Sequence, residues 1–285
     1  MQRIGCVIAV LLLTTSCTST PVATPTQPFK LTPDEEQNVD RLLARWEQWN
    51  AGIKTFDGRF KRWTYDTVFG RPDDARYVEL GTLRYAAPDQ WMFHVDTAEE
   101  NRKEVPIDPR RADHWAFDGK SIIEYDHVKK LVDVHKLPPN LQGKRLVDGP
   151  LTFPILGSGL FWLGWGMPQP VTPGPFSAKA KDLKEQYYLR EITPPVKPHD
   201  QIWLEAYPRT AAIAGCFQHL QLIFRASDMS PVAIKLAQPN GKDYVVYQFF
   251  DITVNSPPAT PGDDPFHPAV PFGWQKIVEE PPATR

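Results

Sequence analysis

The sequence of 285 residues has only three cysteines, too few for a disulfide framework in a chain of this length. Cys6 lies in an apolar N-terminal stretch, Cys17 lies shortly after that stretch, and Cys216 begins an alternating segment. We interpret Cys216 as a small buried residue. If Cys17 carries no modification, a bridge between Cys17 and Cys216 is the alternative.

The chain also lacks an excess of positive charge. Its formal net charge is −2 at pH 7, and no basic stripe or RNA-binding motif occurs in it. Nucleic-acid binding depends on clustered lysine and arginine that neutralise phosphates. We therefore predict that nucleic acid is not a partner.

Catalytic motifs are missing as well. There is no H-E-x-x-H zinc pattern and no glycine-rich nucleotide loop, and Gly157-Ser158-Gly159 does not match the G-x-S-x-G nucleophile elbow. Asp96, Asp118 and Asp126 fall at strand ends and turns, where aspartate accepts hydrogen bonds from the backbone. We predict a protein that is not an enzyme, with no catalytic residue and no cofactor.

The histidines show no spacing typical of a metal site. His127 and His135 are eight residues apart across a predicted strand, so that a metal shared by them would be accidental. We predict a structural or surface role for each histidine and no metal site. The seven histidines are His94, His114, His127, His135, His199, His219 and His267.

What the N-terminus does contain is an export signal. Met1-Gln2-Arg3 supplies a basic start, and the ten apolar residues Ile4–Leu13 form a signal-peptide core that is too short to span a bilayer. Ser16 directly precedes Cys17, as in a bacterial lipobox, although Thr14 replaces the usual Leu or Val. We predict a signal peptide over residues 1–16 and a lipid on Cys17. The alternative is a cleaved signal with an incidental cysteine.

This N-terminus sets the predicted domain organisation and location. Residues 17–33 are rich in Thr and Pro, have no apolar period and are predicted to be a flexible tether. A single folded domain is predicted over 34–278, followed by a disordered tail over 279–285. The protein is expected to be exported to the periplasm or cell envelope, where the lipid would anchor it to a membrane.

The folded part is predicted to be mainly β with helices, an α+β fold. One helix begins at Thr32-Pro33 and ends near Gly52, because apolar residues recur there at helical spacing. After Phe56 the period changes to two, and the 30 prolines and 17 glycines mark frequent turns. About 10 to 11 antiparallel strands in meander order are expected. They are Arg59–Phe69, Tyr77–Ala86, Trp91–Asp96, His114–Phe117, Ser121–Tyr125, Lys129–Leu137, Gln186–Thr193, Gln201–Tyr207, Phe217–Arg225, Pro231–Ala237 and Tyr244–Val254.

Two segments interrupt this pattern. The charged residues 98–113 are predicted to be a surface loop. Leu151–Trp165 is strongly apolar and rich in glycine without strand alternation, so that it is either core filler or a mobile lid.

Several short motifs follow one another along the chain: Phe56–Phe60, Gly81–Tyr85 with Pro88 and Trp91, Asp118–Tyr125, Pro239–Gly241, Phe249–Asn255 and Phe266–Gly273. Their order resembles that of the LolA/LolB-like lipoprotein carrier superfamily. The motifs extend over residues 34–277, and an uncharacterised exported branch of the kind abundant in planctomycetes fits as well. One departure is Ala87, because members of the carrier branch commonly have arginine before the proline of this motif.

The resemblance implies a curved antiparallel sheet, an incomplete β-barrel, that covers helices and encloses an apolar hollow. It also implies that acyl chains of lipids or lipoproteins are the ligands, with any protein partner left open. The candidate cavity residues are the inward aromatics Trp63, Tyr65, Phe69, Trp91, Phe93, Trp115, Phe117, Phe161 and Trp162. Two alternatives are an interaction or sensor protein whose cavity is filled by its own side chains, and a hydrolase on the same shell.

Overall fold

A computed structural model describes most of the predicted domain. The predicted lipid site Cys17 and the candidate residues Phe161 and Trp162 lie outside the described residues, as does all of the apolar segment except Leu151. The described residues are 25–69, 74–142, 151, 179–194, 196, 198–256, 264–267 and 269–281.

The predicted N-terminal helix is confirmed as α1, which has 19 residues and covers Pro33–Ala51. The side-chain oxygen of Thr32 accepts a hydrogen bond from the backbone amide of Glu35, and the Glu35 carboxylate accepts one from the backbone amide of Thr32. This capping box satisfies two amides that a helix start leaves unpaired. The apolar side of α1 is buried, with Leu43 only 1% exposed.

The rest of the described chain forms one sheet of 13 strands with two short helices, α2 (Ala180–Gln186) and α3 (Ala211–Ala214). The sheet is open and curled, which confirms the predicted fold class. No helix within the described ranges is both long enough and apolar enough to cross a bilayer. The strands are β1 (Thr55–Tyr65), β2 (Tyr77–Ala86), β3 (Gln90–Glu100), β4 (Lys103–Pro106), β5 (His114–Phe117), β6 (Ser121–Asp126), β7 (Leu131–Lys136), β8 (Tyr187–Ile192), β9 (Gln201–Pro208), β10 (His219–Arg225), β11 (Pro231–Ala237), β12 (Tyr244–Val254) and β13 (Gln275–Glu279).

Two meanders meet at the middle of the sheet. The strand order is β13-β7-β6-β5-β3-β2-β1-β12-β11-β10-β9-β8, with β4 paired to β3. β1 joins the two halves because it pairs antiparallel with both β2 and β12. β7 and β8 therefore lie near opposite ends of the sheet, although they follow one another in the sequence of strands.

Two strands were not predicted. The residues expected to form a surface loop after residue 98 instead extend β3 to Glu100 and add β4, which turns back through Asn101 and Arg102. Both turn residues have positive φ, 52° and 62°, as a two-residue hairpin requires. At the other end of the chain, β13 pairs with β7 and is parallel to it.

The two faces of the sheet differ in what covers them. The inner face is the one on which α1 packs, and it carries Phe60, Phe93 and Phe224 in one large buried cluster. The outer face of β3 and β5–β7 carries a smaller buried cluster, against which Phe266 and Trp274 pack from the C-terminal segment. That smaller cluster consists of Met92, Ala116, Ile123, Tyr125, Val132 and Val134.

Candidate ligand cavity

An apolar cavity lies between α1 and the inner face of β9 and β10. Its volume is about 20 Å³. All ten side chains that line it are apolar or aromatic, so that nothing in the lining commits the cavity to polar chemistry. The lining residues are Leu42, Leu43, Trp46, Leu151, Leu183, Ile202, Leu204, Leu222, Phe224 and Met229.

Trp46 connects the helix to the sheet at this cavity. Its ring centroid lies 5.0 Å from that of Phe224 on β10 and 5.2 Å from that of Trp49 one turn further along α1. Such aromatic contacts add to the free energy gained from burying the rings. Trp46 therefore fixes the distance between α1 and the sheet, and with it the width of the cavity.

Leu151 is the described residue of the apolar segment, and it lies inside the protein. It is 1% exposed, belongs to the large inner cluster and lines the cavity. A cavity of roughly 10–15 Å³ is needed to hold one water molecule. The 20 Å³ cavity therefore has room for about one water, and wall side chains fill the rest of the space.

Beyond the cavity, the inner face continues as a stack of aromatic rings. The Phe60 and Phe93 centroids are 4.7 Å apart and nearly parallel, and the Trp91 and Phe93 centroids are 6.0 Å apart. Tyr247 meets both phenylalanines edge to face. This stack closes the interior between β1, β3 and β12.

A charged network lies directly beside this stack on the same face. Arg62, two residues after Phe60 on β1, donates from Nε to Glu79 Oε2 at 2.7 Å and from Nη1 to Asp113 Oδ2 at 2.6 Å. Glu79 is only 2% exposed, and Arg111 Nε lies 3.2 Å from its second oxygen. The apolar interior that the resemblance implies is therefore observed only in part.

The groups around Arg62 stabilise its positive charge. Burial acts to lower the pKa of Arg62, but Tyr247, Asp113 and Glu79 outweigh it and raise that pKa above its ordinary value. Burial also raises the pKa of the Tyr247 hydroxyl. Arg62 is therefore a fixed cation that its two carboxylate partners require.

The structure divides the predicted cavity residues into two groups. Trp91, Phe93, Trp115 and Phe117 are all buried in the inner cluster, as an inward position requires. They line the aromatic part of the interior and not the 20 Å³ cavity.

The second group corrects the face predicted for β1. Trp63 and Tyr65 alternate with Phe60, so that they lie on its outer face, where Lys61 approaches the Trp63 ring and Tyr65 stacks on Tyr244 at 4.3 Å. Phe69 lies beyond the end of β1 and is 75% exposed. The inner wall on this strand is formed instead by Phe56 and Phe60.

None of the ten residues that line the cavity is among the predicted cavity residues. The helical period marked Leu42, Leu43 and Trp46 as one apolar stripe without indicating what it packs on. Ile202 and Leu204 alternate along β9, and Leu222 and Phe224 alternate along β10, which was the signal that could have found the opposite wall.

The fold and the cavity together define a class of protein: an open, curled antiparallel sheet that packs on an N-terminal helix and encloses an apolar interior. No protein-family model matches the chain, and no curated protein matches it. Solved structures do match, at sequence identities near 10% that bear on the fold alone.

Three of these structures cover most of the chain. An uncharacterised conserved protein from Thermus thermophilus has a TM-score of 0.44 and 10% identity, over 85% of this chain and 100% of its own. Lipoprotein LppX from Mycobacterium tuberculosis has a TM-score of 0.37 and 9% identity, over 76% of this chain and 96% of its own. A protein from Nitrosomonas europaea that belongs to the LolA superfamily, which the sequence resembles, has a TM-score of 0.31 and 10% identity. The match covers 77% of this chain and 94% of its own.

Proposed function

We propose that this protein is a cell-envelope lipoprotein that binds the acyl chain of a lipid, a lipoprotein or another amphiphile in the cavity between α1 and the sheet. The observation that carries the proposal is the lining of the cavity, which consists of ten apolar or aromatic side chains. A hydrocarbon chain needs such a surface and no reactive group. The proposed activity is binding and not catalysis.

The free energy available from acyl-chain burial is large. Each buried methylene contributes about 0.8 kcal/mol, so that a sixteen-carbon chain gains roughly 12 kcal/mol before the costs of ordering it are subtracted. Reversible binding at micromolar concentrations requires about 8 kcal/mol. Hydrophobic burial alone is thus sufficient, provided that the cost of opening the cavity stays within a few kcal/mol.

The cavity must widen to admit a chain, because it holds about one water molecule as it stands. Leu183 lies on α2, and neither Leu183 nor Leu151 belongs to a strand of the sheet. We expect these two side chains to move aside and the acyl chain to replace their contacts with β9 and β10. The hydrogen bonds of the strands are then left intact.

The binding proposal predicts the behaviour of delipidated protein titrated with the fluorescent fatty acid cis-parinaric acid. We expect saturable binding to the wild type, and binding at least about tenfold weaker for Leu183→Trp, because the larger ring occupies the cavity and overpacking costs 1–3 kcal/mol. Fluorescence enhancement against probe concentration measures both.

The matched control is Ile123→Ala on the outer face, which removes a buried side chain at a cost of about 2–5 kcal/mol without touching the cavity. Its affinity for the probe should equal that of the wild type. Absence of saturable binding to the wild type would support the alternative, an interaction protein whose interior is filled by its own side chains. An equal loss in both variants would contradict binding in this cavity.

The proposed anchor on Cys17 would hold the folded domain close to the membrane, because little chain separates Cys17 from the sheet. The Phe29 ring lies 5.9 Å from the Tyr207 ring, and the Arg190 guanidinium lies 4.7 Å above Phe29. Residues 18–28 extend to at most about 40 Å. The folded domain is therefore proposed to stay within about 40 Å of the membrane that holds the lipid.

Cys17→Ser is expected to move the protein from the membrane fraction to the soluble fraction, because the lipid needs the thiol. Intact-mass measurement of the protein extracted from membranes should show a diacyl or triacyl addition in the wild type and none in the variant. Cys216→Ser is the control and should leave both mass and partitioning unchanged. Unchanged partitioning in Cys17→Ser would refute the anchor and leave the cavity proposal standing.

A further inference from the structure

Three histidines that are far apart in the sequence meet on the outer face of the sheet. His94 on β3 and His114 on β5 are register partners, and His127 directly follows β6. One ring nitrogen from each lies within 4.8 Å of the others. The ring centroids of His94 and His114 are 4.1 Å apart, and that of His127 is 6.2 and 5.8 Å from them, respectively.

Aromatic rings wall this cluster on two sides. Tyr125 stacks on His114 at 4.0 Å, and the Trp274 ring meets His127 edge to face at 5.1 Å. The three imidazoles are each partly exposed. The outer-face position separates the cluster from the acyl-chain cavity, which lies on the inner face.

A metal is coordinated by the neutral form of imidazole. Burial, with His94 and His127 adding to it, lowers the pKa of His114 to about 2. Burial is also the main cause that lowers the pKa of His127. Near neutral pH, His114 and His127 therefore carry a lone pair and no positive charge.

One further residue orients His94. The Asp96 carboxylate lies 2.8 Å from Nδ1 of His94 and accepts a second hydrogen bond, from the Thr82 hydroxyl, at 3.0 Å. A proton on Nδ1 shared with Asp96 leaves Nε2 of His94 free to bind a metal. Histidine ligands in metal sites commonly have such a carboxylate partner.

Ring stacking alone does not account for the cluster. Nε2 of His127 is buried and has no hydrogen-bond partner among the residues that the structure describes. A buried polar atom without a partner costs about 1–3 kcal/mol, and a phenylalanine at this position would stack without that cost. A metal ion bound to this nitrogen would remove the cost.

We propose that His94, His114 and His127 form a binding site for a divalent transition-metal ion of the zinc type. Imidazole nitrogen is a preferred ligand of Zn²⁺, which binds it at about 2.0–2.1 Å in tetrahedral geometry. Nitrogens on a tetrahedral zinc lie about 3.3 Å apart, so that the three rings must close by at most about 1.5 Å through side-chain rotation. Three protein ligands leave the fourth position to water or an external ligand.

The test is zinc binding to the full-length protein after its metal has been removed with EDTA. Titration against a chromophoric chelator should show one zinc per chain at submicromolar affinity for the wild type. His114→Phe keeps a ring that stacks on Tyr125, and it should abolish this binding while preserving the thermal unfolding midpoint of the metal-free protein. Asp96→Ala should weaken binding about 10- to 100-fold, because it removes only the carboxylate that orients His94.

His135→Gln is the matched control. His135 belongs to a second group of possible ligands with Asp133 and Glu279, near the edge of the sheet, and its loss should leave zinc affinity unchanged. Replacement of zinc by Co²⁺ should give the intense visible absorption of tetrahedral cobalt in the wild type and not in His114→Phe. The proposal is overturned if the wild type binds no zinc below about 10 μM, if His114→Phe binds zinc as well as the wild type does, or if His135→Gln loses the zinc instead. None of these outcomes bears on the acyl-chain cavity.

Discussion

Arg62→Met is expected to lower the free energy of unfolding by about 3 kcal/mol, the lower end of the range for removing one partner of a buried ion pair. The change leaves the Glu79 carboxylate buried with Arg111 as its remaining cationic contact at 3.2 Å, and it removes a partner of Asp113. The loss of unfolding free energy stays at the lower end of this range because Arg111 still compensates part of the Glu79 charge. Urea denaturation followed by tryptophan fluorescence measures the change.

Two further variants separate the buried charge from ordinary packing. Arg62→Met combined with Glu79→Gln should recover part of the lost stability, because the uncompensated charge is removed as well. Lys61→Met breaks the neighbouring ion pair with Glu99 on the partly exposed outer face and should cost less than about 1 kcal/mol. If Arg62→Met is no more destabilising than Lys61→Met, the network does not hold the inner face together.

Sequence periodicity predicted the strands well where one face is apolar. β2, β5, β11 and β12 have the predicted bounds, because turn residues frame an alternating segment in each case. β4 was missed because Glu99, Glu104 and their neighbours carry charges on both faces. A hairpin that projects into solvent has no buried face, and without one the alternation disappears.

The face of β1 was assigned incorrectly for a related reason. Phe60 and Arg62 share one face of β1, while Lys61 and Trp63 share the other, so that both faces carry aromatic and cationic side chains. The pattern alone does not select between them. The choice is made by Glu79 on β2, which compensates Arg62 only if Arg62 points inward.

The histidine cluster was not predicted, because its members are distant in sequence. A linear search for metal ligands depends on short spacings such as i and i+4 on a helix. His94 and His114 become neighbours through the register of β3 and β5, and His127 through the turn after β6. Strand register depends on which face of the sheet is buried and on the turns between strands, and not on the spacing of two histidines along the chain.

Gly81→Ala is expected to destabilise the protein by about 3 kcal/mol or more, which is at or above the upper end for overpacking a core. A Cβ atom added at Gly81 would lie 2.3 Å from the backbone oxygen of His94 and 2.4 Å from Cζ of Phe60. The backbone of β3 cannot yield without breaking the β2–β3 ladder, whose register already shifts between Leu80 and Gly81. The Phe60 ring, stacked on Phe93, has no free space to move into.

Gly52→Ala provides the matched control for this substitution. Gly52 follows α1 with φ of −82°, and the nearest atom to an added Cβ is 3.5 Å away. The substitution should therefore be neutral or stabilise by up to about 1 kcal/mol, because alanine restricts the unfolded chain. Urea denaturation of both variants gives the comparison. Equal stabilities would mean that β3 and Phe60 adapt to the extra carbon, and that the close packing of Phe60 on Gly81 does not fix the inner face.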